Sequence, residues 1–295
     1  MMPFLEVVTS GGGATIQDLG RSGWKRFGIP PGGAMDLNSA RKANLLVGNP
    51  EGEAVIELLF TGARFRILKS AELAITGAAV DSGWPRWRNF EVRRGQVIAF
   101  ATLRSGVWSY LAVRGGFIVP KWFGSASVDP RAGCGEALGP KVRLAGGNGN
   151  RAAKIASRFV PEFLQESYDQ TPVLPVWPGP EWHCFPKHAR EMFLSQAWVV
   201  SRFSDRTGYR LEGSALTSEL RISSAPVAVG TIQVPPNGLP IVLLRDGPTV
   251  GGYPRLSILD PSAVSRFTQC APSTSVRFKL VEQWTSIATL AKASP

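Results

Sequence analysis

Thr231-Ile-Gln-Val-Pro-Pro-Asn-Gly-Leu-Pro-Ile-Val-Leu-Leu244 decides the fold class. Two short apolar runs, rich in β-branched residues, flank Pro235, Pro236, Asn237 and Gly238. Proline presets φ, asparagine bonds its own backbone and glycine takes positive φ, so the four residues form a turn and the runs form a hairpin. The same pattern recurs outward from this stretch. Strands are expected at residues 55–60, 64–68, 72–76, 96–100, 110–113, 198–202, 230–234, 240–244, 255–259 and 275–280, with another near the start at 5–8. With 32 glycines and 23 prolines, the intervening segments read as turns. Helices are few. Asp36 caps a helix expected at 37–47 that stops at Gly48, Pro186 opens a second reaching about residue 196, and a short amphipathic helix is expected at 282–293. The chain therefore reads as mainly β. The proline-rich stretch 171–180 marks a boundary between two β-rich units, residues 1–170 and 171–295.

Forty-four per cent of the 295 residues are hydrophobic and 19% charged, which excludes a disordered or fibrous chain. No apolar run is long enough to cross a bilayer as a helix, and the first residues lack the pattern of a signal peptide. Three widely spaced cysteines, Cys134, Cys184 and Cys270, do not make a disulfide framework. A cytoplasmic location is the economical reading. Thirty-three basic against 22 acidic residues give a formal charge of +11, which favours acidic partners. The densest basic group, Arg86, Arg88, Arg93 and Arg94 with Trp84, Trp87 and Phe90 between them, fits a β-hairpin better than a nucleic-acid surface, because Arg86-Trp87-Arg88 alternates with period two.

Generic chemistry motifs are missing. No phosphate loop and no nucleophile elbow occur, and His183, Cys184 and His188 lack zinc spacing, so no metal is expected. Any chemistry rests on carboxylates, amides, arginines and backbone N–H groups. Three polar, glycine-bearing segments mix these groups: 14–21 continuing to 28–36, 201–213, and 231–238 continuing to 246–255. A structural alternative makes Asp18–Arg21 and Asp205–Arg206 ion pairs within turns.

These segments carry a resemblance. TIQDLGR (15–21), GIPPGGAMD (28–36), LVGNPEGEAVIE (46–57), YLAVRGG (110–116), SDRTGYRLEG (204–213), TIQVPPNGLPIVLL (231–244) and DGPTVGGYPR (246–255) resemble the biotin-dependent carboxyltransferase family. Its members include the carboxyltransferase A/B portion of urea amidolyase, allophanate hydrolase subunit 2-like proteins, the KipA-type antagonist and the C-type component of ATP-dependent 5-oxoprolinase. Residues 125–129, Ser-Ala-Ser-Val-Asp, depart from a segment in which relatives usually carry arginine.

The resemblance implies two cyclophilin-like barrel subdomains and a companion, the B-type component of 5-oxoprolinase or a KipI-like protein, with a LamB/YcsF-like A-type component as third member. The leading function it implies is ATP-dependent hydrolysis of 5-oxo-L-proline to L-glutamate by the assembled complex. Arg21 and Arg206 are then candidates for anion stabilisation, and Asp18, Asp205 or Asp246 for the base. Gln17, Asp36, Tyr209, Gln233, Thr249 and Tyr253 are candidates for substrate binding. One alternative is carboxyl transfer to urea or a related amide. No methionine adjoins a lysine, so carboxybiotin would come from another chain. The other is a non-catalytic, KipA-like protein that binds a kinase inhibitor. No cofactor is expected on this chain alone, ATP belonging to the complex. The active region is expected where 15–21, 204–209 and 233–253 converge between the two units.

Overall fold

The computed structural model describes residues 3–146, 156–217 and 220–281. The hairpin forms as read. Thr231–Gln233 pairs antiparallel with Ile241–Leu243, Ile232 opposite Val242. Gly238 has φ +72°, and its amide donates to the Pro235 carbonyl at 2.9 Å. A Cβ there would come within 2.6 Å of the Leu216 carbonyl oxygen, so glycine alone closes the turn.

Around this hairpin the second half of the chain closes into a seven-stranded barrel. Its order is Val173–Pro178, Arg255–Leu259, Thr231–Gln233, Ile241–Leu243, Gly208–Glu212, Trp198–Val200 and Ser275–Leu280. Val173–Pro178 closes the ring by parallel pairing with Ser275–Leu280, Leu174 opposite Phe278. Along Ser275–Leu280 the burial alternates: Val276 and Phe278 point into the core while Arg277 and Lys279 stay in solvent. Helix α1 (Leu37–Leu46) belongs to the first half, and α2 (Lys187–Ser195) and α3 (Pro261–Thr268) pack on the barrel. Phe193 of α2 stacks on Phe278 at 4.8 Å between ring centres.

The first half is built from two five-stranded sheets. One runs Val97–Ala99, Ala63–Ile67, Pro3–Ser10, Arg143–Gly146, Phe117–Ile118; the other runs Ala14–Gln17, Val55–Leu59, Thr102–Val113, Ala71–Asp81, Asn89–Val92. A shared core that includes Phe4, Phe65, Ile56, Ile75 and Leu111 lies between them. The long strand Thr102–Val113 is buried on both faces from residue 106 onward. Leu111 and Val113 enter that core, whereas Trp108, Tyr110 and Ala112 join the larger core containing α1 and the barrel interior. The second sheet is thus the wall against which the barrel half packs.

The mainly β reading with few short helices is what the structure shows. Strands Ala14–Gln17, Val173–Pro178 and Gly208–Glu212 fall where the sequence suggests polar turns or a linker, and α3 has no counterpart among the expected helices. The arginine-rich segment after residue 81 is a hairpin loop and its return strand, with Trp87 buried and Trp84 stacked on Phe90. The helix expected at 282–293 lies outside the described residues. Among the described residues no helix is long and apolar enough to cross a membrane.

Candidate active site between the two halves

A cavity of about 240 Å³ opens where the wall sheet meets the barrel. From the first half it is bounded by Thr15, Glu57, Leu59, Phe60, Val107 and Trp108. From the second it is bounded by Val200, Arg202, Ser204, Asp205, Arg206, Tyr209, Cys270 and Pro272. Its walls are mostly apolar and its charged groups are few, the composition of a site for a small ligand.

Glu57 and Arg206 meet in this cavity. Glu57 sits in the middle of the otherwise apolar strand Val55–Leu59, in register with Thr15 and Tyr110. Its side chain is fully buried, as period-two alternation places it on the face shared with Val55 and Leu59. Arg206 approaches from the turn before Gly208–Glu212. Its Nη1 donates to Glu57, while Nε and Nη2 form a two-pronged bond with Asp246 at 2.6 and 2.9 Å and Nη2 also reaches the Gly33 carbonyl at 2.8 Å. Backbone bonds fix the partners, since Asp246 N donates to the Arg206 carbonyl and Leu244 N to that of Thr207, both at 3.0 Å. Glu57 also accepts from the Met35 amide at 2.7 Å and the Tyr110 hydroxyl at 2.9 Å. Two carboxylates thus face one guanidinium. Burial lifts the Glu57 carboxyl above the ordinary range, opposed by Arg206, the Met35 amide and Tyr110. Burial works against the charge on Arg206, but Glu57 and Asp246 more than offset it and hold the guanidinium protonated.

Behind this cluster a polar chain runs to α1. Tyr110 Oη accepts from the Asp36 amide at 2.7 Å. The Asp36 carboxylate caps α1, accepting from the Ser39 amide at 3.0 Å and hydroxyl at 2.6 Å, and takes the Gln269 side-chain amide at 2.9 Å. The carbonyl of that amide accepts from the Val107 and Trp108 backbone. Trp108 Nε1 donates to Tyr209 Oη at 3.1 Å, and Tyr209 donates to the Thr268 carbonyl at 2.8 Å. Burial raises the Tyr209 hydroxyl well above its usual range and pushes the Cys270 thiol up to about 12, so neither is an anion at neutral pH.

The structure thus gathers Arg206, Asp246, Asp205 and Tyr209 at or beside the cavity and scatters the other candidates. The Asp18 carboxylate is consumed by the Ser125 and Ser127 hydroxyls at 2.5 and 2.6 Å and the Ala126 and Gly20 amides, both at 2.7 Å. Arg21 is buried and donates to the Ser127 carbonyl, and Gln17 donates to the Val128 carbonyl at 2.9 Å. These three stitch the strand Ala14–Gln17 and its following turn to residues 125–128. Asp36 is a helix cap behind the cavity wall. Gln233 is buried and bonds the Tyr253 carbonyl at 3.1 Å, with Thr249 on the adjoining turn; none of the three borders the cavity. Neither turn pair forms. Among the described residues Asp18 and Arg21 bond the 125–128 loop, Arg206 pairs with Glu57 and Asp246, and Asp205 pairs with Arg131 at 2.9 Å. Burial would raise the Asp205 carboxyl, but Arg131 and the Thr207 amide outweigh it and hold the carboxyl below the ordinary range. Sequence reasoning missed Glu57 and Trp108. Glu57 did carry a signal, a lone carboxylate inside an apolar strand and the last residue of LVGNPEGEAVIE. Among the described residues no group of three His, Cys, Asp or Glu converges to hold a metal.

Residues 27–280 match the family model described as carboxyltransferase domain, subdomain A and B. The chain is 34% identical over 267 residues to the C subunit of 5-oxoprolinase from Escherichia coli, covering 86% of this chain and 84% of that one. It is 32% identical over 280 residues to the C subunit of 5-oxoprolinase from Haemophilus influenzae, covering 91% and 88%. Among solved structures, the crystal structure of TTHA0988 superposes with a TM-score of 0.86 at 31% identity; it covers 94% of this chain, which spans 56% of that protein's length. The family model spans residues 27–280 and two relatives above 30% identity match over most of both chains: this chain belongs to the family of the carboxyltransferase domain, subdomains A and B.

Proposed function

We propose that this chain is the C-type component of an ATP-dependent 5-oxoprolinase-type complex, and that the cavity between its halves holds the lactam ring. The observation that carries the reading is the Glu57–Arg206–Asp246 cluster in a small, mostly apolar cavity. Near end-to-end similarity to two proteins named as C subunits of 5-oxoprolinase supports it. In this reading residues 1–170 and 171–295 supply one wall each.

An amide resists water because resonance spreads its nitrogen lone pair over the carbonyl. Phosphorylating the lactam oxygen with ATP, on another chain of the complex, makes the ring carbon electrophilic. Water then adds to that carbon, a base takes its proton, the C–N bond breaks and the nitrogen takes up a proton. That leaves an acyl phosphate, which a second water hydrolyses with release of phosphate, so the sum is lactam, ATP and two waters giving L-glutamate, ADP and phosphate. Glu57 is the base we favour over Asp18, because it borders the cavity while four donors take up the Asp18 carboxylate, and burial draws the Glu57 pKa toward the working pH. Arg206, which borders the cavity, stabilises the negative charge that develops on the adduct. The test is co-expression with the A- and B-type subunits and an assay for 5-oxoproline-dependent ATP hydrolysis. Hydrolysis that ignores 5-oxoproline overturns the reading, and Glu57→Gln is expected to lower turnover by about a hundredfold.

The family's carboxyltransferase description favours a second reading, carboxyl transfer to urea or a related amide. In it carboxybiotin is a substrate presented by another chain. Bicarbonate-dependent labelling of urea by the complex, without 5-oxoproline turnover, selects this reading.

A further inference from the structure

Asp18, set aside as a base, has another task. Its carboxylate clamps the hairpin around residues 122–125 against the turn that follows Ala14–Gln17. The hairpin is minimal: Trp122 and Ser125 exchange backbone hydrogen bonds at 2.7 and 3.1 Å across Phe123-Gly124. Both central residues have positive φ, +55° and +84°, the geometry in which Asn-Gly is favoured and a bulky first residue is strained. Phenylalanine occupies that position, and the residue is 45% exposed. The turn itself does not reward this choice, and the side chain enters no core.

The exposed ring does have neighbours. Trp24 lies 4.9 Å from it between ring centres, and Phe27 lies 5.7 Å from Trp24, exposed by 36% and 60%. Three aromatic rings from two separate loops thus form one continuous exposed patch. Three basic residues flank it: Arg26 lies over the Phe27 ring at 4.8 Å, Lys121 adjoins the hairpin, and Lys25 reaches across to the Val227 carbonyl of the barrel half at 2.9 Å. Exposed aromatics with arginine beside them, clustered and held in place by a rigid clamp, are the composition of an interface hot spot.

We propose that the Trp24–Phe27–Phe123 patch is the docking surface for the companion B-type component of the complex, and that it receives an apolar surface bordered by acidic side chains. The partner's chemistry follows from the basic residues Lys25, Arg26 and Lys121 beside the rings and the chain's net charge of +11. The identity of the companion rests on the proposed function above. Asp18, Ser125 and Ser127 are positioning residues that hold the two loops in register.

The test is calorimetry of the purified chain with its B-type companion at two salt concentrations. The variants are Phe123→Asn, which suits the turn and removes the ring, Trp24→Ser, and the charge reversal Arg26→Glu. Phe123→Asn and Trp24→Ser are expected to weaken binding at least about tenfold with thermal stability unchanged or, for Phe123→Asn, raised. Arg26→Glu is expected to weaken it chiefly at low salt. A complex that all three variants leave intact overturns the docking surface alone. No complex with the unaltered chain overturns the reading on which the proposal rests. Self-association or binding to anionic phosphatidylserine vesicles, abolished by these variants while the B-type companion still binds, assigns the patch to a second copy or a membrane and equally overturns it.

Discussion

Glu57 carries a proton balance that can be measured. Burial places its folded pKa above the value in the unfolded chain, so the unfolded chain loses its proton first as pH rises. The stability tied to that proton is complete below the ordinary glutamate pKa and is lost as pH climbs through the higher folded value. Denaturant unfolding from about pH 4 to pH 8 should show wild type losing stability relative to Glu57→Gln as pH rises. A relative gain contradicts the burial argument. Arg206 yields a second prediction. Lysine cannot reproduce a two-pronged bond to Asp246 together with contacts to Glu57 and Gly33, so Arg206→Lys should destabilise and Arg206→Ala should cost about 3–5 kcal/mol by leaving buried carboxylates unpaired. Urea denaturation checks it, and a loss below about 1 kcal/mol, the scale of an exposed pair, counts against the buried cluster. At this scale the sequence was legible in kind but not in place. Arg206 and Asp246 read as reactive because guanidinium and carboxylate fell in glycine-bearing turns. Glu57 did not, because a strand position says nothing of what approaches from a turn 149 residues away. Asp18 misled for the converse reason, its four donors coming partly from a loop more than a hundred residues on.

Helix α1 shows how a cap can serve two elements. The Asp36 carboxylate satisfies the first turn of α1 and also holds the Gln269 amide, which in turn holds the strand Thr102–Val113 through the Val107 and Trp108 amides. Asp36→Ala should therefore cost more than an ordinary cap, about 2–3 kcal/mol, whereas Asp36→Asn, which still accepts from Ser39, should lose about half as much. Thermal unfolding of the two variants checks this; equal losses would mean that the charge, and not the cap, does the holding. The cap and the hairpin at Pro235–Gly238 were readable because their residue types dictate local geometry. The strand Val173–Pro178 was not, because Pro175 and Pro178 give a linker's composition to a segment whose pairing is entirely long-range. Ala14–Gln17 hid similarly, its buried Gln17 finding a partner only in the Val128 carbonyl.

As a whole the molecule is two cores joined along one sheet, with a cationic exterior. That charge, together with the patch at Trp24, Phe27 and Phe123, leads to the expectation that co-expression with a B-type companion gives one joint peak in size-exclusion chromatography at micromolar concentration, weakened by added salt. Two separate peaks at low salt contradict it. The parallel pairing of Val173–Pro178 with Ser275–Leu280 bears on how the chain is made. The paired residues lie about a hundred positions apart, so a chain emerging from the ribosome must complete nearly all of its second half before the ring can shut. Until then an open sheet shows two unpaired edges to crowded surroundings. The first half has a core of its own and can order early, offering the wall sheet as a template on which the waiting strands assemble. Any change that slows the last strand's arrival therefore lengthens the period of exposure, and yield in the cell becomes sensitive to residues that leave the finished protein's stability untouched.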